Sequence, residues 1–289
     1  MLRSTLTSVM QRLMSPEERT ANTFKRRALK HLWGVRHPVV ARALRGKVFI
    51  IYTMGRVGTV SLRDAIQRTA PYTHIGVTHY LTETGLRDRE AFRGNPDRRS
   101  RRIREFLHDS NDSTVPHLIT LVRDPVARDV SSVAKEAQVG RYSGTEGSPS
   151  NASDLQRAFF SNGPKTSLGW MDEELGAFLG MNPYAVPFSH EQGYQIRDLD
   201  RGRLLILKLS SLSRSFSAAM QQFVGCSFAD PLVRNNSSDG HMGDVNRAFS
   251  KALTLSNDLL DTYYNSRFAR HFFTESEREQ MRSRWAKPS

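Results

Sequence analysis

The chain has 289 residues, 38% of them hydrophobic, a mean hydropathy of −0.51 and a net charge of +13. Such a chain can bury a sizeable core in water, and no apolar run approaches the roughly 20 residues of a membrane-spanning helix. The lone Cys226 excludes an internal disulfide and a Cys-rich zinc site, and points to a reducing compartment. The positive charge predicts attraction to phosphate, sulfate, acidic glycans, nucleic acid or anionic lipid without choosing among them.

Residues 1–46 read as a helical extension. Leu2, Leu6, Val9, Met10 and Leu13 share one side of a basic helix, and Ser15-Pro16-Glu17-Glu18 is a capping-box start for a second helix reaching about Leu32. Ten Lys and Arg in the first 45 residues oppose only Glu17 and Glu18. Packing on the main domain is the favoured expectation, with an organelle-targeting peptide or a membrane-surface helix as alternatives. The opening lacks the n-region, h-region and cleavage pattern of a secretory signal, so the expected location is the cytoplasm, with peripheral membrane contact through the basic N-terminus left open.

From Lys47 the pattern is strand, turn, helix, repeated. Strands are expected at 47–53, 73–79, 117–122 and 203–208, and helices at about 60–69, 98–108, 125–138 and 213–224. This alternation predicts an α/β domain over 47–289 with a central, mainly parallel sheet flanked by helices. Residues 139–168 are polar and rich in Gly and Pro, and are expected to form a lid, a binding loop or a disordered segment. Residues 252–285 read as two helices around Arg267–Phe273, the second opening with a capping box, Thr274-Glu275-Ser276-Glu277.

Two of the strand-to-helix corners carry chemistry. After the first strand comes Thr53-Met54-Gly55-Arg56-Val57-Gly58-Thr59-Val60-Ser61. After the third comes Arg123-Asp124-Pro125, with Asp124 as N-cap, Pro125 at the first helical position and Ser131 eight residues after the Arg. Strand, turn and helix start together make an anion site, because backbone N–H groups and the helix dipole converge there. Two such sites at neighbouring strand ends suggest one ligand with two anionic groups. The first loop is not a Walker A motif: Thr59-Val60 stand where Lys and the metal-binding hydroxyl should be, and only Asp124 offers itself as an acidic Mg²⁺ ligand. Gly-x-Gly-x-x-Gly is absent as well. In the helix after Arg123, the stripe Val126, Val130, Val133 and Ala137 predicts a core face and turns Arg128, Ser131 and Lys135 towards solvent or ligand.

These segments resemble the sulfotransferases that use 3′-phosphoadenylyl sulfate (PAPS). That family places a basic residue, any residue, Gly and Ser or Thr after its first strand, here Arg56, Val57, Gly58 and Thr59, and later an Arg with a Ser eight positions on, here Arg123 and Ser131. Met54-Gly55-Arg56-Val57-Gly58-Thr59, Trp170-Met171-Asp172-Glu173-Glu174, Pro187-Phe188 before Gly193-Tyr194, and Phe268–Phe273 before Trp285 look like the capsular polysaccharide synthesis branch of that superfamily. The resemblance spans about Lys47 to Trp285. It implies a three-layer P-loop-like fold, PAPS as co-substrate without a metal, and transfer of a sulfuryl group to a hydroxyl, on a carbohydrate acceptor such as a polysaccharide. No specific nucleic acid partner is implied. Arg56 with the amides of Val57, Gly58, Thr59 and Val60 would hold the donor's 5′ end, and Arg123 with Ser131 its 3′-phosphate.

A general base is needed for the acceptor hydroxyl, and His79 is the candidate. His74 and His79 are five residues apart and face opposite ways on a regular strand, and only His79 lies at the carboxyl end where ligands bind. Glu83 and the pair Asp172 and Glu173 are its rivals. Gly240-His241-Met242-Gly243-Asp244 followed by Phe249-Ser250 looks like a C-terminal cofactor loop of the cytosolic members, but Ser238-Asp239 replace that loop's Arg-Lys and Val245 its Trp, so a flexible surface loop is expected. The competing reading of the whole chain is a non-catalytic basic module for nucleic acid or acidic glycan.

Overall fold

Five strands collect most of the long apolar runs, and their order decides where a ligand can sit. The computed structural model describes residues 29–109, 114–138, 151–162, 166–231 and 241–286, and the chain divides into two compact units, 1–45 and 46–289. In the larger unit, β1 (Lys47–Tyr52), β2 (Ile75–Thr78), β3 (Val115–Val122), β4 (Tyr194–Asp198) and β5 (Arg203–Lys208) form one sheet in the order β2-β1-β3-β5-β4. β1, β2, β3 and β5 are parallel, and β4 pairs antiparallel with β5 at the edge. Ile51, Ile119, Leu121 and Leu205 are fully buried, as the near-continuous apolar runs of a parallel sheet demand. The α/β class and the mainly parallel sheet agree with the alternation of the sequence.

The helices are α1 (Pro38–Ala43), α2 (Thr59–Thr69), α3 (Glu83–Arg93), α4 (Arg98–Asp109), α5 (Pro125–Gln138), α6 (Ala152–Asn162), α7 (Thr166–Trp170), α8 (Leu212–Val224), α9 (His241–Ala252), α10 (Asn257–Tyr264), α11 (Arg267–Phe272) and α12 (Glu275–Trp285). α7 runs on into a π-helical segment, Met171–Gly176. No helix among the described residues is long and apolar enough to cross a membrane.

Several expectations are corrected. Strand β4 and helix α3 were not anticipated. β4 joins β5 through a turn closed by Leu199 N–H on the Gly202 carbonyl, where a Cβ at Gly202 (φ +90°) would strike the Pro116 carbonyl. Within the expected loop 139–168, residues 152–162 form α6; residues 139–150 and 163–165 lie outside the described residues. The expected surface loop after Gly240 is helix α9, Gly240 itself lying outside the described residues. Both helices cover α5: Val126, Val130 and Val133 pack in one apolar cluster with Leu155, Phe159, Phe249 and Tyr263. Ala137 lies outside the residues whose side chains are described. The C-terminal pair is three helices, α10 to α12, and the capping box of Thr274 and Glu277 is formed.

In the smaller unit, residues 1–28 lie outside the described residues. The chain is helical over 29–36, past the expected end near Leu32; it bends at His37, whose N–H bonds the Trp33 carbonyl and whose carbonyl accepts from Ala41 N–H, both 2.9 Å, and resumes as α1 with Pro38 in its first turn.

Candidate anion site at the ends of β1 and β3

β1 leads to β2 on one side of the sheet, and β3 leads to the strands on the other. The carboxyl ends of β1 and β3 therefore flank a topological switch point, the crevice where open α/β sheets bind ligands. The two corners with anion chemistry meet there.

The first corner is strained and held from outside. Gly55, Arg56 and Gly58 have φ of +77°, +59° and +91°. For Arg56 this left-handed conformation costs about 1–2 kcal/mol. Two guanidinium groups fix it: Arg123 Nη1 donates to the Arg56 carbonyl at 2.8 Å, and Arg128 Nη2 to the Met54 carbonyl at 2.7 Å. Val57 is buried, and Gly58 is the N-cap of α2 without a side-chain cap bond. The helical hydrogen bonds begin with Leu62 N–H on the Gly58 carbonyl, so the N–H groups of Thr59 and Val60 precede the ladder at the positive end of the helix. Thr59 Oγ1 lies 3.2 Å from Thr53 Oγ1, and Val60 is exposed.

The second corner is capped from within. Asp124 Oδ1 accepts from the N–H groups of Val126 (3.0 Å) and Ala127 (3.3 Å) and from the Tyr264 hydroxyl (3.0 Å), while Oδ2 accepts from Trp285 Nε1 (3.2 Å). About two helical turns on, Ser131 Oγ accepts from Arg56 Nε at 3.2 Å. The resemblance assigns Arg56 and Ser131 to opposite ends of a nucleotide, yet here they touch. Arg123, Ser131, Arg56 and the loop belong to one site.

Arg128 corrects the helical-stripe reading. Only 5% exposed, it pairs at 2.8 Å with buried Asp129, which also accepts from Ser167 Oγ and the Tyr263 hydroxyl, each at 2.9 Å. The face expected to meet solvent is roofed by the first loop and by α10. Ser131 and Lys135 remain partly exposed. The site gathers more cation than anion. Burial lowers the pKa of Arg56, with Glu136 opposing and Arg128 adding to the effect. For Arg123, burial is again the first cause, opposed by Asp124 and reinforced by Arg56, Arg284 and Arg128. Both guanidinium groups stay charged, so the mutual repulsion favours an anion in the site.

His79 follows β2 directly, while His74 precedes it and is exposed. Its Nδ1 lies 2.7 Å from the Thr53 carbonyl. A carbonyl can only accept, so Nδ1 carries the proton and Nε2 is the basic nitrogen. Burial pushes the His79 pKa down, the Thr53 carbonyl opposes this, and Arg128 lowers it further. The His79 carbonyl accepts from Trp170 Nε1 at 2.9 Å. Gly55 faces the ring, where a Cβ would sit 3.5 Å from Cε1 and Nε2.

The rival bases are engaged elsewhere. Glu83 pairs with Arg104 and, at 3.6 Å, with Arg101, and Asp172 pairs with Arg267 at 3.4 Å. Glu173 folds back onto Gly169. The unforeseen carboxylate is Glu174, 4% exposed on the π-helical segment. It accepts from the Tyr52 hydroxyl (2.6 Å), Thr82 N–H (2.8 Å), Thr82 Oγ1 (2.5 Å) and Leu81 N–H. It ties the segment after His79 to the end of β1. The three acidic residues in a row, Asp172-Glu173-Glu174, give no sign of which one turns inward, because a π-helical segment breaks the 3.6-residue period. Among the described residues no group of three or more His, Cys, Asp or Glu is placed to hold a metal ion.

No protein-family model, curated protein or solved structure matches the chain.

Proposed function

We propose that the larger unit is a PAPS-dependent sulfotransferase of P-loop-like fold acting on a hydroxyl of a carbohydrate. The observation that carries this reading is the convergence of Arg56, Arg123 and Ser131 at the switch point of the sheet, through the bonds from Arg123 to the Arg56 carbonyl and from Arg56 to Ser131. A nucleotide with a 3′-phosphate and a 5′-phosphosulfate supplies two anionic groups to match the two corners. The N–H groups of Val57, Gly58, Thr59 and Val60 would take the 5′ end, and Arg123 with Ser131 the 3′-phosphate.

In the reaction His79 Nε2 takes the proton of the acceptor hydroxyl. The acceptor oxygen forms a bond to sulfur as the bond from sulfur to the donor's phosphate oxygen breaks in line, leaving 3′-phosphoadenosine 5′-phosphate. Sulfuryl transfer, like phosphoryl transfer, is served chiefly by positioning and by charge on the equatorial oxygens. Arg56 and the loop amides supply that charge, and Arg56 cannot act as a proton donor. The Thr53 carbonyl holds the ring of His79, and Trp170 Nε1 holds its backbone carbonyl.

Calorimetric titration with 3′-phosphoadenosine 5′-phosphate tests the reading. Saturable binding is expected, and Arg123→Ala is expected to weaken it by about 1.5–3 kcal/mol, the worth of a charged hydrogen bond. Weak binding that falls log-linearly with salt and ignores the 3′-phosphate would instead identify a non-catalytic basic module.

A further inference from the structure

The first 45 residues hold ten of the 42 Lys and Arg but two of the 29 acidic residues, so they contribute +8 of the net +13. Between Leu29 and Gly46 there is no acid at all, against Lys30, Arg36, Arg42 and Arg45. The described part of this unit is helical over 29–36 and again over α1, with a bend between them at His37 (φ −128°, ψ 58°), the N-cap before Pro38. Leu29, Leu32 and Val35 recur every three residues along one face of the first helical stretch, and Val39 follows in the first turn of α1. All four are exposed, at 42%, 56%, 66% and 71%, and they form four of the nine large exposed hydrophobics among the described residues. Trp33, Val40 and Leu44 turn the other way and are more buried. A water-facing helix of a soluble domain keeps such aliphatic residues in, whereas here they stand in water beside the exposed Lys30, Arg36, Arg42 and Arg45.

We infer that residues 29–45 lie on a membrane surface bearing anionic lipid, with Leu29, Leu32, Val35 and Val39 entering the acyl boundary and Lys30, Arg36, Arg42 and Arg45 meeting the headgroups. The occupant follows from complementarity. An apolar stripe beside a purely cationic border suits a surface that is both apolar and negative, which a bilayer with anionic headgroups provides. A nucleic acid would use the charges and leave the stripe in water. A second copy of this unit would bring +8 against +8.

The test is sedimentation of the full chain with vesicles. We expect it to pellet with phosphatidylcholine vesicles containing about one-fifth phosphatidylglycerol and to stay in solution with phosphatidylcholine alone. Val35→Glu with Val39→Glu is expected to weaken vesicle binding by at least about tenfold, and Arg36→Glu with Arg42→Glu to do likewise. Val35→Ser with Val39→Ser replaces the first pair if circular dichroism shows it fails to fold. Nucleotide binding by each variant is measured alongside, and it should not change. Absence from the anionic pellet, equal binding to both vesicle types, binding that survives the change in the stripe, or a native dimer that the stripe variants dissociate would each overturn the inference.

Discussion

After β1 the chain turns through three residues with positive φ and has no side-chain cap, its carbonyls held by Arg123 and Arg128 from the neighbouring strand and helix. After β3 it turns through a single aspartate that caps its own helix and receives Tyr264 and Trp285 from the C-terminal helices. The first corner owes its shape to other parts of the fold, whereas the second is locally determined and then reinforced. A corner of the first kind spends its carbonyls on arginines and leaves the amides of Thr59 and Val60 outside the helical ladder. A corner of the second kind spends its carboxylate on structure, while its Arg123 and Ser131 bond the Arg56 carbonyl and Arg56 Nε of the first.

The contrast can be broken first at Arg128. Arg128→Met leaves Asp129 buried without its cation, and unfolding in urea should show a loss of about 3–5 kcal/mol. Adding Asp129→Asn should recover part of that loss. At the second corner, Asp124→Ala removes a cap worth about 0.5–2 kcal/mol and leaves two buried donors, so about 2–3 kcal/mol is expected in the same measurement. The loss should be one of stability, with nucleotide affinity retained in the folded fraction. Gly58→Ala tests the strain of the first corner. A Cβ there would stand 2.7 Å from Leu209 Cδ1, a flexible side-chain end, so the cost is mainly the left-handed backbone, about 1–2 kcal/mol. It should weaken nucleotide binding as well as stability.

The smallest effect is that of acid on turnover. The pKa of His79 is held below its ordinary value of 6.5, chiefly by burial, and as the proposed base it would act as the neutral ring. Protonation on acidification removes activity, so kcat/KM falls only as pH drops through that lowered value. Between pH 8 and 6.5 the decline should be less than about twofold, followed by a steeper loss. A profile that halves well above pH 6.5 would place another group in the role.

Much of the scaffold was legible. The strands at 47, 117 and 203 announced themselves as apolar runs, and Asp124-Pro125 and the Thr274 capping box as helix starts, because those signals act within a few residues. Helix α6 was also there to be found: Asn151 Oδ1 caps Asp154 N–H at 3.0 Å, and Leu155, Ala158 and Phe159 have the spacing of a buried face. The surrounding Gly and Pro hid it. Strand β4 is short, polar at alternate positions and paired only at the edge, so its partner β5 is its main support.

The sequence by itself determined the α/β class, the two corners and the excess of positive charge, since each rests on neighbouring residues and on composition. Tertiary structure alone decided that Arg128 is buried beneath the first loop, that Glu174 rather than its neighbours clamps Tyr52 and Thr82, and that Arg56 reaches Ser131. Those contacts join residues 74 to 122 positions apart, by way of a strand order and a π-helical segment that no local period encodes.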